Sequence, residues 1–295
     1  MNAKIIWLNV MPIVFVLLWS TGFIGAKYGL PYAEPFTFLF YRLAIVSLVL
    51  WGVLFISKSP LPTQFNAVGH VAISGLLVHA GYLGGVFAAI KVGLPSGLTA
   101  LIVGLQPLLT AVTAALILRE IITRLQWIGL FLGLLGVIFV LSERFEGTVI
   151  PLEVSSIFWA ILALISISVG TVYHKRFCTD IPLISSTLIQ YLTATLVLGS
   201  VAFFTETMIV VWSVPFMLAL AWLVVGLSLG AISLLMLLIK QGAAARVASL
   251  FYLVPPVTAI EAYFLFDERL GAIALLGMGL TVIGVALVML KKRPV

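Results

Sequence analysis

The sequence predicts an all-α membrane protein in which ten transmembrane helices form two inverted five-helix repeats. Three observations predict this fold class: the composition, the spacing of the apolar runs, and a repeat within the chain. Of the 295 residues, 63% are hydrophobic and only 9% are charged. Water-soluble domains have about a quarter of their residues charged. This composition therefore excludes a globular protein with a hydrated surface.

Apolar runs long enough to cross a hydrocarbon core of ~30 Å follow one another along the whole chain. Proline, glycine, serine or charged residues separate consecutive runs, and the period-two alternation typical of a membrane barrel is absent from the sequence. The runs predict ten spanning helices. These spans are 5–26, 36–56, 67–90, 96–118, 125–141, 154–173, 183–204, 214–239, 247–266 and 270–290.

The basic residues are divided unequally between the two sides of the predicted membrane. With the N-terminus in the cytoplasm, eleven of the 16 Lys and Arg residues fall on the cytoplasmic side. The opposite side has only Lys27, Lys91, Arg144 and Arg269, and Arg42 lies inside a helix. By the positive-inside rule, this distribution predicts a multi-pass protein of the inner cell membrane with both termini in the cytoplasm.

The chain repeats itself at a spacing of 148 residues. The positions Ser20, Gly22, Lys27, Ala100, Pro107, Thr110, Ala111, Glu120, Gly129 and Gly136 match Ser168, Gly170, Lys175, Ala248, Pro255, Thr258, Ala259, Glu268, Gly277 and Gly284. Around Lys91 the register slips by one residue, to Lys240. The repeat predicts two halves, 1–148 and 149–295, each with five helices. Because five is odd, the second half enters the membrane from the opposite face, and inverted repeats are typical of transporters.

Several short motifs lie in the first half, and some of them have an echo in the second. They are Trp19-Ser20-Thr21-Gly22-Phe23, Arg42, Gln106-Pro107 with Thr110, Arg119-Glu120, Pro255-Pro256 with Thr258, and Asp267-Glu268-Arg269. In this order, and with this doubling, they resemble the EamA-type branch of the drug/metabolite transporter superfamily over essentially the whole chain. The resemblance implies ten helices, a substrate cavity between the halves near mid-membrane, and export of amino acids or other small metabolites. It is closest to the exporters of aromatic amino acids and amines.

The predicted function is therefore export of amino acids or related small metabolites from the cytoplasm by alternating access through a central cavity. Two alternatives stay open: an exchanger of phosphorylated metabolites or nucleotide sugars with a similar fold, and a membrane subunit that binds a ligand without moving it. A phosphorylated substrate favours two or more basic groups in the cavity, and only Arg42 lies deep in the membrane. Proton exchange and facilitated diffusion are both compatible with the sequence.

His79 and Tyr82 are the first candidates for substrate binding. His79 lies about twelve residues into the third run, ~18 Å from its cytoplasmic end, and Tyr82 follows on the same helical face. Because polar groups are costly near mid-membrane, we expect a role in the cavity. The alternative is a structural histidine that bonds to a neighbouring helix.

Arg42 and Glu261 are predicted at similar depths, ~10 Å below the outer face. Because either charge alone is expensive in a membrane, we expect them to form an ion pair. This pair closes the outer side or acts as a gate, and recognition of a substrate carboxylate by Arg42 is the alternative. Gln190 occupies the position of Arg42 in the second half.

Prolines and aromatic residues complete the predicted cavity. Gln106 precedes Pro107, and Pro255 and Pro256 interrupt the ninth run, so these prolines are predicted helix bends that line the cavity. Packing kinks are the alternative. Five aromatic residues could form a cage for an aromatic or cationic substrate. They are Trp19, Trp159, Tyr191, Phe251 and Tyr252, and an interfacial position is the alternative for Trp159.

The sequence argues against other classes of protein. It has no HExxH motif, paired aspartates or Walker A motif, so we expect neither an enzyme nor an ATPase. A single cysteine excludes a cysteine-built metal site or an intramolecular disulfide, and we expect no metal and no cofactor. Scattered basic residues argue against nucleic-acid binding. The expected partners are the lipid bilayer and a small-molecule substrate, and the expected functional unit is a monomer.

Overall fold

The computed structural model describes residues 3–94, 99, 102–142, 153–266 and 271–290. Regular structure in these ranges is helical, apart from one isolated bridge between Ala33 and Val210. Six of the described helices are long and apolar enough to cross a bilayer. The chain is thus an all-helical protein with membrane-spanning helices, as predicted. The count of ten spans and the division into two five-helix repeats stay predictions.

We number the helices in chain order. They are α1 (Ala3–Gly29), α2 (Pro35–Ser57), α3 (Phe65–Lys91), α4 (Gln106–Ile117), α5 (Arg124–Ser142), α6 (Val154–Phe177), α7 (Leu183–Thr205), α8 (Val214–Gln241), α9 (Ala244–Ser249, a 3-10 turn at Leu250–Leu253, and Val254–Phe266) and α10 (Ala272–Met289). The six membrane-capable helices are α2, α3, α6, α7, α8 and α10.

Prolines define several helix starts. Pro35 begins α2, and α4 and α8 also have a proline in their first turn. A proline is favoured there because the first amides of a helix have no partner within it. The sequence predicted a fourth span from residue 96. The described residues 99, 102 and 103 are helical, a turn follows at residues 104–105, and α4 begins at Gln106, immediately before Pro107. Residues 95–98 and 100–101 lie outside the described part of the chain.

Contacts between side chains and helix ends define two ends of the bundle. At the Lys91 end, Glu206 accepts hydrogen bonds from the Phe36 and Thr37 amides at the start of α2. At the opposite end, which we call the Lys175 end, Ser185 at the start of α7 donates to the carbonyl of Pro60 after α2. Helices α2 and α7 are therefore antiparallel neighbours.

Glycines bring α5 and α10 into backbone contact. A Cβ atom placed on Gly129 would lie 2.5 Å from the Gly284 carbonyl oxygen, and one on Gly136 would lie 2.5 Å from the Gly277 carbonyl oxygen. Small residues allow such close packing of membrane helices. Gly277 and Gly284 are the repeat equivalents of Gly129 and Gly136, so the contacts are reciprocal, which is the pattern that a two-fold axis produces.

Two further features follow the repeat spacing. Ser47 and Thr195, which occupy equivalent positions of α2 and α7, lie 3.5 Å apart between their hydroxyl oxygens. Helices α3 and α8 each contain a π-helical stretch, at Leu76–Gly81 and Leu223–Ala231. Such stretches are frequent at functional sites. Both features thus occur at equivalent positions of the two predicted halves.

Candidate functional site

A small cavity lies between α1, α2, α3, α7 and α8. It provides about 80 Å³ of space for water-sized molecules. Five residues that the sequence nominated line it together: Trp19, Arg42, His79, Tyr82 and Tyr191. The other lining residues are mainly apolar. The cavity therefore combines an apolar wall with a few polar groups, which is the usual chemistry of a small-molecule site.

Arg42 brings a buried positive charge to this cavity. Its side chain is 7% exposed, and its Nε donates to the Ser228 hydroxyl at 2.9 Å. Ser228 is held in turn, because its carbonyl oxygen accepts a hydrogen bond from the Tyr191 hydroxyl at 2.9 Å. The structure gives the two terminal nitrogens of Arg42 no hydrogen-bond partner among the described residues. A guanidinium held through Nε leaves these two donors for a carboxylate.

His79 places two unpartnered nitrogen atoms in the same region. Its ring is fully buried and stacks on Tyr191, with centroids 4.4 Å apart. Among the described residues, neither ring nitrogen of His79 has a hydrogen-bond partner of good geometry. The Oε1 atom of the nearby Gln190 also lacks such a partner. Buried polar atoms are almost always satisfied by protein, water or ligand. These atoms therefore mark a place where a polar group of a bound solute, or water, can be held.

Aromatic rings form one wall of the cavity. Trp19 and Tyr82 stack with centroids 6.4 Å apart and an angle of 21° between their planes. Phe15 and Phe251 pack against Trp19 with centroid distances of 5.3 and 5.0 Å. This second layer holds the indole in place. The wall can stack on an aromatic group or attract a cationic one.

Four of the nominated residues do not line the cavity. Phe251 lies behind Trp19, and Tyr252 packs against Gly133 of α5. Trp159 packs with Ala89 and Leu94 in a separate cluster towards the Lys91 end. Gln106 is buried at the start of α4, with its Nε2 atom unpartnered, but outside the lining set. Sequence position predicts how deep a residue lies in the membrane, but the rotation of its helix decides which way its side chain points. In these four residues the side chain points away from the cavity.

Arg42 and Glu261 bind different partners. Glu261 Oε1 lies 2.7 Å from the Ser20 hydroxyl oxygen, which is hydrogen-bonding distance, while Arg42 bonds to Ser228. Within the described residues, ion pairs occur only between Lys91 and the carboxylates of Glu34 and Glu206. The expected ion pair is absent from this conformation because a serine satisfies each group separately. A gating role for the two residues stays a prediction.

The prolines nominated as helix bends lie at helix breaks. Pro107 is in the first turn of α4, after a turn at residues 104–105. Pro255 and Pro256 begin the last part of α9, directly after its 3-10 turn. Each proline lacks an amide hydrogen, so the helix starts there without losing a bond. None of the three lines the cavity.

Sequence reasoning missed Ser228, which holds Arg42. The signal that could have found it is the repeat: with the register slip around Lys91, Ser228 is the equivalent of His79, as Gln190 is of Arg42. The structure thus contains two equivalent pairs. One pair is Arg42 with Ser228, and the other is Gln190 with His79. The cavity lies where these pairs meet.

A second and larger cavity lies at the Lys91 end. It has a volume of about 430 Å³ and shares Leu30, Phe87 and Ile90 with the central cavity. Glu34 and Lys91 lie at its rim, with Lys91 Nζ 3.7 Å from Glu34 Oε1. Hydrogen bonds from Thr207 lower the pKa of the Glu34 carboxyl, so it is charged at neutral pH. The central cavity therefore adjoins a vestibule at this end, and the vestibule includes the charged pair Glu34 and Lys91.

Polar contacts and small apolar residues close the Lys175 end. Lys175 Nζ donates to the carbonyl oxygens of Ile239 and Gly242, at 2.8 and 2.6 Å, where α8 ends. Glu120 Oε1 accepts from the Ala244 amide at 3.0 Å, where α9 begins. Both contacts place charge at the favourable end of a helix. Ala114, Val172 and Ala244 form a fully buried cluster beside them.

Comparison with known proteins places the chain among transporters. The sequence profile of the EamA-like transporter family matches residues 6–142 and 154–290. A protein of Salmonella typhimurium named "Probable amino-acid metabolite efflux pump" is 25% identical over 284 residues, which cover 93% of this chain and 92% of that protein. A protein of Escherichia coli named "Uncharacterized inner membrane transporter YedA" is 28% identical over 283 residues, with coverages of 94% and 88%.

A solved structure shares the fold. One crystal structure superposes with a TM-score of 0.79 and covers 95% of both chains at 20% sequence identity. At this identity the likeness concerns the fold alone.

Proposed function

Because the chain belongs to the EamA-like transporter family, we propose that it exports amino acids or related small metabolites by alternating access through the central cavity. It is a membrane transporter rather than an enzyme, with homologues named as transporters. The further proposal concerns its substrate, its direction and its cycle. The functional unit in this proposal is a monomer, because the cavity is built by one chain.

One observation carries the proposed substrate class: Arg42 is buried in an aromatic-walled cavity and its terminal nitrogens are available. A solute with a carboxylate and an apolar or aromatic group matches these features, with the carboxylate at Arg42 and the apolar group against Trp19 and Tyr82. The nitrogens of His79 offer one more polar contact. A phosphorylated substrate is disfavoured because a dianion needs more positive charge than Arg42 supplies.

The closed Lys175 end and the vestibule at the Lys91 end support alternating access. In the proposed cycle, this conformation releases substrate towards the vestibule, and the opposite conformation opens between α4, α6 and α9. The reciprocal contacts of α5 with α10 and of α2 with α7 support two inverted halves, 1–148 and 149–295. Inverted repeats produce two such states by exchanging the conformations of their halves.

We assign the Lys175 end to the cytoplasm. The positive-inside rule supports this orientation, because the cytoplasmic set of basic residues includes Lys175, Arg176 and Lys240. The vestibule then faces the outside of the inner membrane, which is the direction required for export.

Counterflow in proteoliposomes tests the proposed function. Vesicles that contain the protein and are loaded with unlabelled phenylalanine are expected to take up labelled phenylalanine transiently without ATP. Loaded vesicles without the protein are not expected to do so. A panel of amino acids, aromatic amines and sugar phosphates separates the alternatives. Exchange of sugar phosphates alone would favour the phosphorylated-metabolite exchanger, and binding without counterflow would favour a non-transporting subunit.

Substitution of His79 or Tyr82 by alanine is expected to slow counterflow. Each change removes a cavity contact, and one lost contact of this kind costs about 0.5–1.5 kcal/mol, which is a loss of about two- to tenfold in affinity. The measurement is the concentration dependence of counterflow. Trp159→Ala is the matched aromatic control, because Trp159 lies outside the cavity. Unchanged transport in both cavity variants would contradict the assigned site.

Lys175→Met is expected to open the cytoplasmic end. The change removes two hydrogen bonds from a charged donor, each worth about 1.5–3 kcal/mol, so the population of the cytoplasm-open state rises by tenfold or more. A cysteine placed at Val172, with Cys178 replaced by alanine, reports on this end through its reaction with an impermeant maleimide. Lys240→Met is the control, because Lys240 is exposed at the same end. Equal labelling in both variants would remove Lys175 from the gate.

A further inference from the structure

Glu261 is an acidic residue within α9, and among the described side chains no Lys or Arg forms an ion pair with it. Arg42, its expected partner, bonds to Ser228 instead. Glu261 Oε1 meets the hydroxyl of Ser20, and Glu261 Oε2 is buried without a hydrogen-bond partner among the described residues. Ionisable groups inside membrane helices are costly and commonly belong to pathways for ions or protons.

The helices packed against the last part of α9 contain few titratable residues. These helices are α1, α5 and α10, together with the 3-10 turn of α9. Their titratable residues are Lys4, Lys27 and Tyr28 on α1, Arg124 on α5, and Arg246, Tyr252 and Tyr263 on α9, while α10 has none. Lys27 and Tyr28 follow Ser20 by about two helical turns, ~10 Å along the axis. Among the residues that the structure describes, an ionised Glu261 would therefore have no opposite charge at ion-pair distance.

The hydrogen bonds of Ser20 indicate which form Glu261 adopts. The Ser20 hydroxyl oxygen lies 2.8 Å from the Leu17 carbonyl oxygen and 2.7 Å from Glu261 Oε1. Both distances are those of O–H···O hydrogen bonds, yet a hydroxyl has only one proton to donate. If Ser20 donates to Leu17, the second bond requires a proton on Glu261. A neutral carboxylic acid also explains the buried and unpartnered Oε2, because a carboxylate oxygen would cost far more there.

We propose that Glu261 is a proton-binding site and that the transporter exchanges an outgoing substrate for an incoming proton; this rests on the proposed function. The protonated acid donates to Ser20. On loss of the proton, the carboxylate becomes an acceptor only, so Ser20 turns its hydroxyl to Glu261 and releases the Leu17 carbonyl. Ser20 lies next to Trp19 and two residues before Gly22, which both line the cavity. Proton binding thus changes the bonding of a helix that forms the cavity wall.

The proposed cycle balances in protons and charge. Glu261 takes one proton from the outside when substrate has left, carries it through the change of access, and releases it to the cytoplasm. A zwitterionic amino acid then leaves for each proton that enters. One positive charge moves inward per cycle, so an inside-negative potential is expected to accelerate export.

Accumulation driven by a pH gradient tests this proposal in proteoliposomes. With the membrane potential clamped at zero, one pH unit across the membrane is expected to support an about tenfold accumulation of phenylalanine, because one proton is exchanged per solute. In Glu261→Gln, the amide is neutral at every pH and can still donate to Ser20. This variant is expected to lose the accumulation while phenylalanine-for-phenylalanine counterflow continues.

Glu153→Gln is the matched control, since Glu153 is an exposed glutamate at the start of α6, and it should accumulate substrate as the wild type does. Accumulation of phenylalanine by Glu261→Gln in a pH gradient would overturn the proton site. A wild-type protein that catalyses counterflow but does not accumulate phenylalanine in a pH gradient would overturn it as well. Absence of counterflow in the wild type would instead contradict the proposed function. In that case the infrared band of a protonated carboxyl group decides: it should be present in the wild type, fade at alkaline pH, and be missing in Glu261→Gln. A band identical in both proteins would overturn the proposal.

Discussion

Arg42→Gln is expected to lose the ability to distinguish an amino acid from the amine that lacks its carboxylate. In the wild type, the terminal nitrogens of Arg42 can form charge-assisted hydrogen bonds to the substrate carboxylate, while Ser228 holds Nε at 2.9 Å. Such bonds contribute about 1.5–3 kcal/mol. The affinity for phenylalanine should therefore fall about 10- to 100-fold, while the affinity for phenethylamine changes little or rises. Competition of both compounds against labelled substrate in counterflow measures the two affinities.

Two control variants sharpen this experiment. Arg176→Gln removes an exposed arginine at the end of α6 and should leave both affinities unchanged. Arg42→Lys keeps the charge but loses the planar, two-pronged donor, so its affinity for phenylalanine should lie between those of the wild type and Arg42→Gln. Equal preference for the carboxylate in wild type and Arg42→Gln would show that the carboxylate is bound elsewhere.

Gly277→Ala is expected to destabilise the folded protein, although alanine is the better helix former. A Cβ atom at this position would lie 2.6 Å from the Gly136 carbonyl oxygen and 2.8 Å from the Val140 amide nitrogen. Both neighbours are backbone atoms, so α5 and α10 must separate. Overpacking of this kind costs about 1–3 kcal/mol, which exceeds the gain of ~0.5–1 kcal/mol from replacing glycine in a helix. The measurement is the thermal unfolding midpoint in detergent.

Gly279→Ala is the control on the same helix. No atom lies within 4 Å of a Cβ built on Gly279, so this variant should be as stable as the wild type or slightly more stable. The two substitutions change the same atoms on one helix, and only the contact with α5 differs. Equal midpoints for Gly277→Ala and Gly279→Ala would contradict close backbone packing between α5 and α10.

In the proposed transport cycle, the vestibule is the exit to the outside. A substrate held at Arg42 would leave past Leu30, Phe87 and Ile90, which the central cavity shares with the vestibule. In the same proposed cycle, return to the loading state would break the contacts of Lys175 and Glu120 with the ends of α8 and α9. No residue of the closely packed α5–α10 pair is among those that line either cavity, so we expect this pair to stay fixed while the other helices move.

Several features of the protein could be predicted from the sequence, because they depend only on where a residue lies along the chain. Hydropathy identified the all-helical membrane class, and the family resemblance agrees with the matched family. The rise of 1.5 Å per residue placed Arg42, His79 and Tyr82 at depths from which they reach one cavity. The repeat spacing of 148 residues also pairs Gly129 and Gly136 with the two glycines that they contact in α10.

Only the tertiary structure decided which way each side chain points around its helix. Trp19 and Trp159 were equally plausible wall residues, yet Trp19 lines the cavity and Trp159 packs with Ala89 and Leu94. Glu261 and Arg42 were placed at one depth, but Glu261 reaches Ser20 and Arg42 reaches Ser228. Hydropathy and rise determine how deep a residue lies, whereas its direction depends on how neighbouring helices rotate to pack. In a chain that is apolar on all sides of its helices, the sequence contains little amphipathic signal from which that rotation could be predicted.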